Sequence, residues 1–173
     1  MIERIRFWTL LIATGLIVGC ASAQFKKERE EANQSVQALR ALQSVVSVGI
    51  EPTDYSKRLQ DCKIIVDHTL QGSSEPKLAP VKESIAAAMD SYEKANKVFQ
   101  ERPYDGDQIS GIDFLEDESL ESDIERQLEE SKDVVDVGLS EKKRLYPKKK
   151  VVPLIWALAQ KQTDLAAEKL AKL

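Results

Sequence analysis

The chain has little of what usually carries chemistry. Its 173 residues include one His, two Cys, seven Gly and six Pro, and aromatics make up only 6%. Two Cys cannot build a disulfide scaffold or a four-Cys zinc site. So few Gly and Pro exclude collagen-like and linker-type proteins. There is no Gly-rich phosphate loop, no HExxH and no nucleophile elbow. The net charge of −4, with a pI near 5.2, argues against a general nucleic-acid binder. What is present, 42% hydrophobic and 31% charged residues, suits one globular domain.

The first twenty residues read as an address. Residues 1–6 hold two Arg and one Glu, and residues 7–18 (FWTLLIATGLIV) are uncharged and mostly apolar. Twelve residues of helix span about 18 Å, against a hydrocarbon core of roughly 30 Å, which suits the apolar region of a signal peptide. The run ends Ile17-Val18-Gly19-Cys20 and resembles the lipobox of bacterial lipoproteins. That resemblance implies a diacylglycerol on the Cys20 thiol, cleavage after Gly19 and acylation of the new amine. Two or three chains anchor stably where one is marginal. Ala21, rather than Asp, follows Cys20. In a Gram-negative source this resembles the pattern for the outer membrane, periplasmic face. The alternatives are a cleaved soluble signal and an uncleaved anchor. Removing residues 1–19 leaves 154 residues with 23 basic and 28 acidic side chains, net −5.

Gly and Pro divide the rest into stretches of roughly 18–28 residues, lengths that suit helices. Residues 25–48 repeat apolar positions at Ala32, Val36, Leu39, Leu42 and Val46, behind a charged first turn or two. Residues 54–71 carry Tyr55, Leu59, Cys62, Val66 and Leu70, with Gly72 where a C-terminal glycine belongs. Residues 78–101 carry Leu78, Val81, Ile85, Met89, Tyr92 and Phe99, and Pro103 stops them.

A fourth helix is expected from Ser119 or Ser122, with Ser122-Asp123-Ile124-Glu125 as a capping box. Its stripe is Leu120, Ile124, Leu128 and Val135, extended to Leu139 if the helix passes Gly138. A fifth begins at Pro153, with Leu154, Leu158, Leu165, Leu170 and Leu173 as its face and Trp156 beside it. No strand alternation is read anywhere. The expected fold is all-α, a bundle of four or five helices over residues 25–173, joined by a tether at 20–24 to the signal peptide at 1–19.

Two further resemblances concern the mature chain. Tyr92-x-x-Ala95-x-x-x-Phe99 resembles a tetratricopeptide helix, although no 34-residue repeat accompanies it. Ala38-Leu39-Arg40-Ala41-Leu42, Val48-Gly49-Ile50, Asp54-Tyr55, Leu59-x-Asp61-x-Lys63-x-x-Val66, Ala88-Met89-x-x-Tyr92 and Ile155-Trp156-Ala157 together resemble a loose group of exported bacterial helical proteins. That resemblance implies an architecture and brings no activity.

Three candidate sites follow. Residues 105–116 look like a degenerate EF-hand loop, with Asp105, Asp107, Asp113 and Glu116 at positions 1, 3, 9 and 12. Position 5 is Ile109, and Ser110 stands at position 6, where calcium loops turn sharply on Gly. A solvated acidic loop is the other reading. Second, residues 113–136 hold eleven acidic and two basic residues, and Lys142, Lys143, Arg144, Lys148, Lys149 and Lys150 follow. Acid at a helix start and base at its end complement the helix dipole; the alternative is a basic loop against anionic headgroups. Third, Cys62 and His68 are the only nucleophile–base candidates. Six residues apart on one helix, they do not face each other, so Cys62 reads as an inert core thiol and His68 as a surface residue.

The expected function is a non-enzymatic lipoprotein, without cofactor or resident metal, held at a membrane through Cys20. Its partner would be an envelope protein, and nucleic acid is not expected. A calcium-responsive module and a tetratricopeptide-like scaffold are the alternatives.

Overall fold

The computed structural model describes residues 2–72, 75–101, 108–110, 122, 124, 126–128, 130, 135–139 and 141–173. For 2–22, 108, 110, 135–139 and 141–145 the description is of the backbone. Four long helices dominate: α1, Ile2–Val48; α2, Pro52–Gln71; α3, Ala79–Gln100, entered through a 3₁₀ turn at Pro76–Leu78; and α4, Lys148–Ala171. Residues 122, 124, 126–128 and 130 are also helical. The helical bundle read from the sequence is the fold.

The stripes of α1 to α3 are buried where the spacing placed them. Ala32, Val36, Leu39, Leu42 and Val46 of α1 meet Tyr55, Leu59, Cys62 and Val66 of α2 and Val81, Ile85, Met89 and Tyr92 of α3 in one core. A line of hydroxyls crosses it between α1 and α2. Ser35 Oγ donates to Thr69 Oγ1 at 2.8 Å, and Thr69 Oγ1 donates to the Glu31 carbonyl at 3.0 Å. Both side chains are buried, so each hydroxyl needs a partner, and the pair fixes the helices' register.

Consecutive helices run antiparallel. At one end, Phe25 and Glu28 of α1 lie near Glu75, Lys82 of α3 and Lys169 of α4, the last donating to the Pro80 carbonyl and to Ser84 Oγ. At the other end, Tyr55 of α2, Phe99 of α3 and Trp156 of α4 pack edge to face, with centroids 5.4–5.7 Å apart. Cys20 belongs to the first end, because α1 runs unbroken from it through residues 20–24.

Three expectations are corrected. Residues 135–139 and 141–147 are not a continuation of the fourth helix. Val135–Leu139 (β2) and Glu141–Pro147 (β3) form a hairpin, and Gln108–Ser110 (β1) pairs with β3's other edge, giving an antiparallel sheet in the order β1-β3-β2. Val135-Asp136-Val137-Gly138-Leu139 combines β-branched residues with a glycine, and both weaken a helix. Ile109 and Tyr146, directly opposite in register, are both buried and join the sheet to the helical core.

The last helix starts at Lys148, so Pro153 lies within it and removes one backbone hydrogen bond. Its buried face is Val151, Val152, Ile155, Ala159, Thr163, Ala166 and Leu170, while Leu165 and Leu173 are exposed. Ala88 and Ala95 of α3 are also fully buried, and small residues on both helices allow them close approach.

The third correction concerns Gly72, which follows α2 with extended backbone (φ −63°). The positive φ is at Gly49, +95°, just beyond α1, where its N–H donates to the Val46 carbonyl. A Cβ there would meet nothing within 4 Å, so backbone strain alone sets the penalty. Gly49→Ala is expected to lower stability by about 1 kcal/mol in urea unfolding, and Gly72→Ala by much less.

Candidate functional site

The proposed calcium ligands Asp105, Asp107, Asp113 and Glu116 lie outside the described residues. Strand β1 occupies the fourth to sixth positions of that loop. Ser110, the sixth, is in extended pairing opposite Leu145. A calcium loop turns sharply at that position, so the strand conflicts with the turn that such a site needs. Among the described residues no group of three His, Cys, Asp or Glu side chains gathers as a metal site.

The basic cluster is divided. Lys142, Lys143 and Arg144 are on β3, while Lys148, Lys149 and Lys150 form the first turn of α4. None ends a helix, so the helix-dipole account of them is corrected. Lys148 instead serves α3, donating to the carbonyls of Phe99 at 3.0 Å and Glu101 at 2.5 Å. That satisfies open acceptors at the C-terminus of α3 and places positive charge against its dipole. Lys149 and Lys150 are exposed. The whole cluster follows the α3 C-terminus, at the bundle end away from Cys20. Along α1 the two ends are about 40 Å apart at 1.5 Å per residue.

Cys62 is buried, and burial pushes its thiol up to about 12. His68 is exposed on α2. The core around Cys62 is nonetheless polar in places. Tyr55 Oη donates to the Tyr92 carbonyl at 2.8 Å. Burial pushes both tyrosine hydroxyls well above their ordinary range. Tyr92 Oη and Trp156 Nε1 are buried, and neither closes a hydrogen bond among the described residues. An apolar recess of about 190 Å³ on the Cys62 side lies between α1 and α2, rimmed by Arg58 and Asp61.

Elsewhere a groove of about 630 Å³ lies between α1 and the end of α4. Its α1 wall carries Lys26, Arg29, Glu30, Asn33, Gln37 and Arg40, and its floor includes Val36 and Leu170. The wall residues recur every three or four positions, which is one face of a helix. In the sequence, Lys26 and Arg29 belong to the charged turn or two that open this segment. Arg40 is engaged by Asp164 of α4 at 3.9 Å.

Beside the groove, Glu28 points inward and is only 2% exposed. Gln24 Nε2 donates to Oε1 at 2.8 Å, and the Glu75 N–H donates to Oε2 at 3.1 Å. Lys82 Nζ stands 3.6 Å from Oε2 and donates to the Gly72 carbonyl at 3.4 Å. The Gln24 hydrogen bond, then the Glu75 N–H and Lys82, hold this carboxyl below its ordinary range, although burial opposes them.

These features assemble one end, nearer Cys20, with a charged groove and an internal ion pair, and a far end with aromatic packing and a small sheet. Comparison with protein-family models, curated proteins and solved structures finds no match to this chain.

Proposed function

We propose that the protein is a lipoprotein, anchored through acylated Cys20, whose helical bundle acts without catalysis as an envelope interaction module. The observation that carries this is Ile17-Val18-Gly19-Cys20 at the end of a twelve-residue apolar run. The packing supports it. Phe25 already lies against the core, and the Gln24–Glu28 hydrogen bond begins the folded part within five residues of Cys20. A bundle rooted so near the lipid stays at the membrane surface. Among the described residues no helix is long and apolar enough to cross a membrane.

The test is expression of the full chain and of Cys20→Ser in a bacterial host that processes lipoproteins, followed by fractionation and intact-mass analysis. The wild-type chain is expected to begin at residue 20, carry diacylglycerol and fractionate with membranes. Cys20→Ser is expected to lose the lipid and the processing. An unmodified wild-type Cys20 would end the anchor reading. In-cell crosslinking of the anchored protein then tests the interaction module, which needs a specific envelope partner.

A further inference from the structure

We infer that the groove between α1 and the end of α4 binds the phosphate-bearing headgroup of an anionic lipid in the membrane that holds Cys20. This inference rests on the anchor reading above, which sets where the groove stands.

Position is the first argument. Lys26 and Arg29 lie six and nine residues beyond Cys20 on the same continuous helix. They are therefore at most about 9 and 14 Å from it along the axis. Whatever the tilt of α1, neither can stand farther than that above the lipid attachment point. The headgroup layer on each face is about 5–8 Å deep, and long basic side chains extend down to it. The cluster at 142–150 has no such constraint, since it sits at the other end of the bundle.

Availability is the second argument. Lys27 pairs with Glu31, Lys82 with Glu28, Lys172 with Glu168, and Arg40 with Asp164. Lys26 and Arg29 are exposed, and among the described residues neither has an ion-pair or hydrogen-bond partner. In a mature chain of net −5, two unengaged cations side by side on a groove wall are a local reversal of sign. Glu30 on the same wall opposes them, so the attraction is local and specific to their end of the groove.

Chemistry is the third argument. Arg29 offers a planar fork suited to two phosphate oxygens, and Lys26 a second point charge. The Asn33 and Gln37 amides are placed one and two turns on, where a polar headgroup would meet them. Val36, Ala167 and Leu170 line the part of the groove farther from Cys20 than the two cations, so the acyl chains stay on the Cys20 side and only the headgroup enters. A guanidinium fork, an ammonium and two amides fit a phosphate ester with a polar headgroup better than a free ion.

The test uses full-length Cys20→Ser, so that covalent lipid does not mask the groove, with NMR titration of short-chain phosphatidylglycerol below its micelle concentration. Phosphatidylcholine of the same chain length and inorganic phosphate are the comparison probes. Shifts at residues 26–37 and 167–171 are expected with phosphatidylglycerol, and weaker ones with the other two. Lys26→Gln/Arg29→Gln is expected to weaken that binding at least tenfold; both side chains are exposed, so the fold is kept. Lys149→Gln/Lys150→Gln is expected to leave it unchanged. Equal binding of inorganic phosphate, equal binding of phosphatidylcholine, or no loss in the Lys26/Arg29 variant would each overturn the inference. Because this chain lacks the covalent lipid and the shifts are read at residues 26–37 and 167–171, failure here is separable from failure of lipidation, which intact mass reports on its own.

Discussion

Tyr55→Ala is expected to be the most damaging single truncation in the core, costing about 3–5 kcal/mol in urea unfolding. Tyr55 is fully buried at the end of the bundle where three helices converge. Its ring meets Phe99 of α3 at 5.7 Å and Trp156 of α4 at 5.5 Å, both edge to face. Removing it leaves a cavity lined by two rings that themselves pack at 5.4 Å and cannot easily collapse inward. Domains of this size are stable by roughly 5–15 kcal/mol, so the loss is a large fraction of the total. In melting temperature it corresponds to about 10 °C.

Tyr55→Phe separates the ring from its hydroxyl. The hydroxyl donates to the Tyr92 carbonyl at 2.8 Å, inside α3. That carbonyl keeps its helical partner four residues on, so losing the second donor costs only about 1 kcal/mol. The midpoint is expected to fall for both variants with an unchanged slope. If the phenylalanine variant falls as far as the alanine variant, the hydroxyl rather than the ring cluster holds that end together.

Much of this architecture is legible as spacing. On α1 and α2 the buried positions recur at three- and four-residue steps among mostly polar or small neighbours, which marks one inward face even though Ile64 and Ile65 of α2 stay exposed. The same reasoning misplaces the inward face of α4. Leucines attract attention there, yet Leu165 is 38% exposed while Ala159 and Ala166 are fully buried. A helix that must approach α3 closely buries its small residues, and closeness is a property of two helices rather than one. The hairpin is hard to read for a related reason. Gly138 reads as a point that the fourth helix either stops at or passes, although Val135 and Val137 on its N-terminal side already favour extended backbone.

Gly49 and Gly72 both follow helices, and residue type alone does not say which takes the positive φ. At Gly72 the chain runs on to Glu75, whose N–H is held by Glu28 from another helix. The groove is illegible for the same cause. Lys26 and Leu170 are far apart in sequence, and only the antiparallel return of α4 brings them together. Cys20 is the opposite case, because its four-residue context is contiguous.

Glu28→Gln is the second large effect, an expected loss of about 2–4 kcal/mol at neutral pH. The sequence places Glu28 in a run of charged residues, but its position on α1 turns it against Lys82 and the turn into α3. Removing its charge leaves the Lys82 ammonium, with only 10% of its side chain exposed, facing a neutral amide. Part of the cost comes from the Lys82 ammonium losing this carboxylate while it keeps the Gly72 carbonyl, so replacing it as well should recover that part. Glu28→Gln/Lys82→Met is therefore expected to be more stable than Glu28→Gln alone.

The acid side of the profile follows from the sign of the shift. The folded carboxyl titrates below its ordinary value of 4.5, because the Gln24 hydrogen bond, then the Glu75 N–H and Lys82, favour the charged form over the opposing effect of burial. The unfolded chain then binds the proton first as pH falls. Glu28 stabilises the fold fully above about 4.5, and this contribution declines as pH drops through the lower folded value. The gap between wild type and Glu28→Gln should thus be constant from pH 7 down to about 5, then narrow in more acidic buffers. A gap that stays the same down to pH 3 would mean that the charge on Glu28 contributes nothing, and that only the shape of its side chain matters.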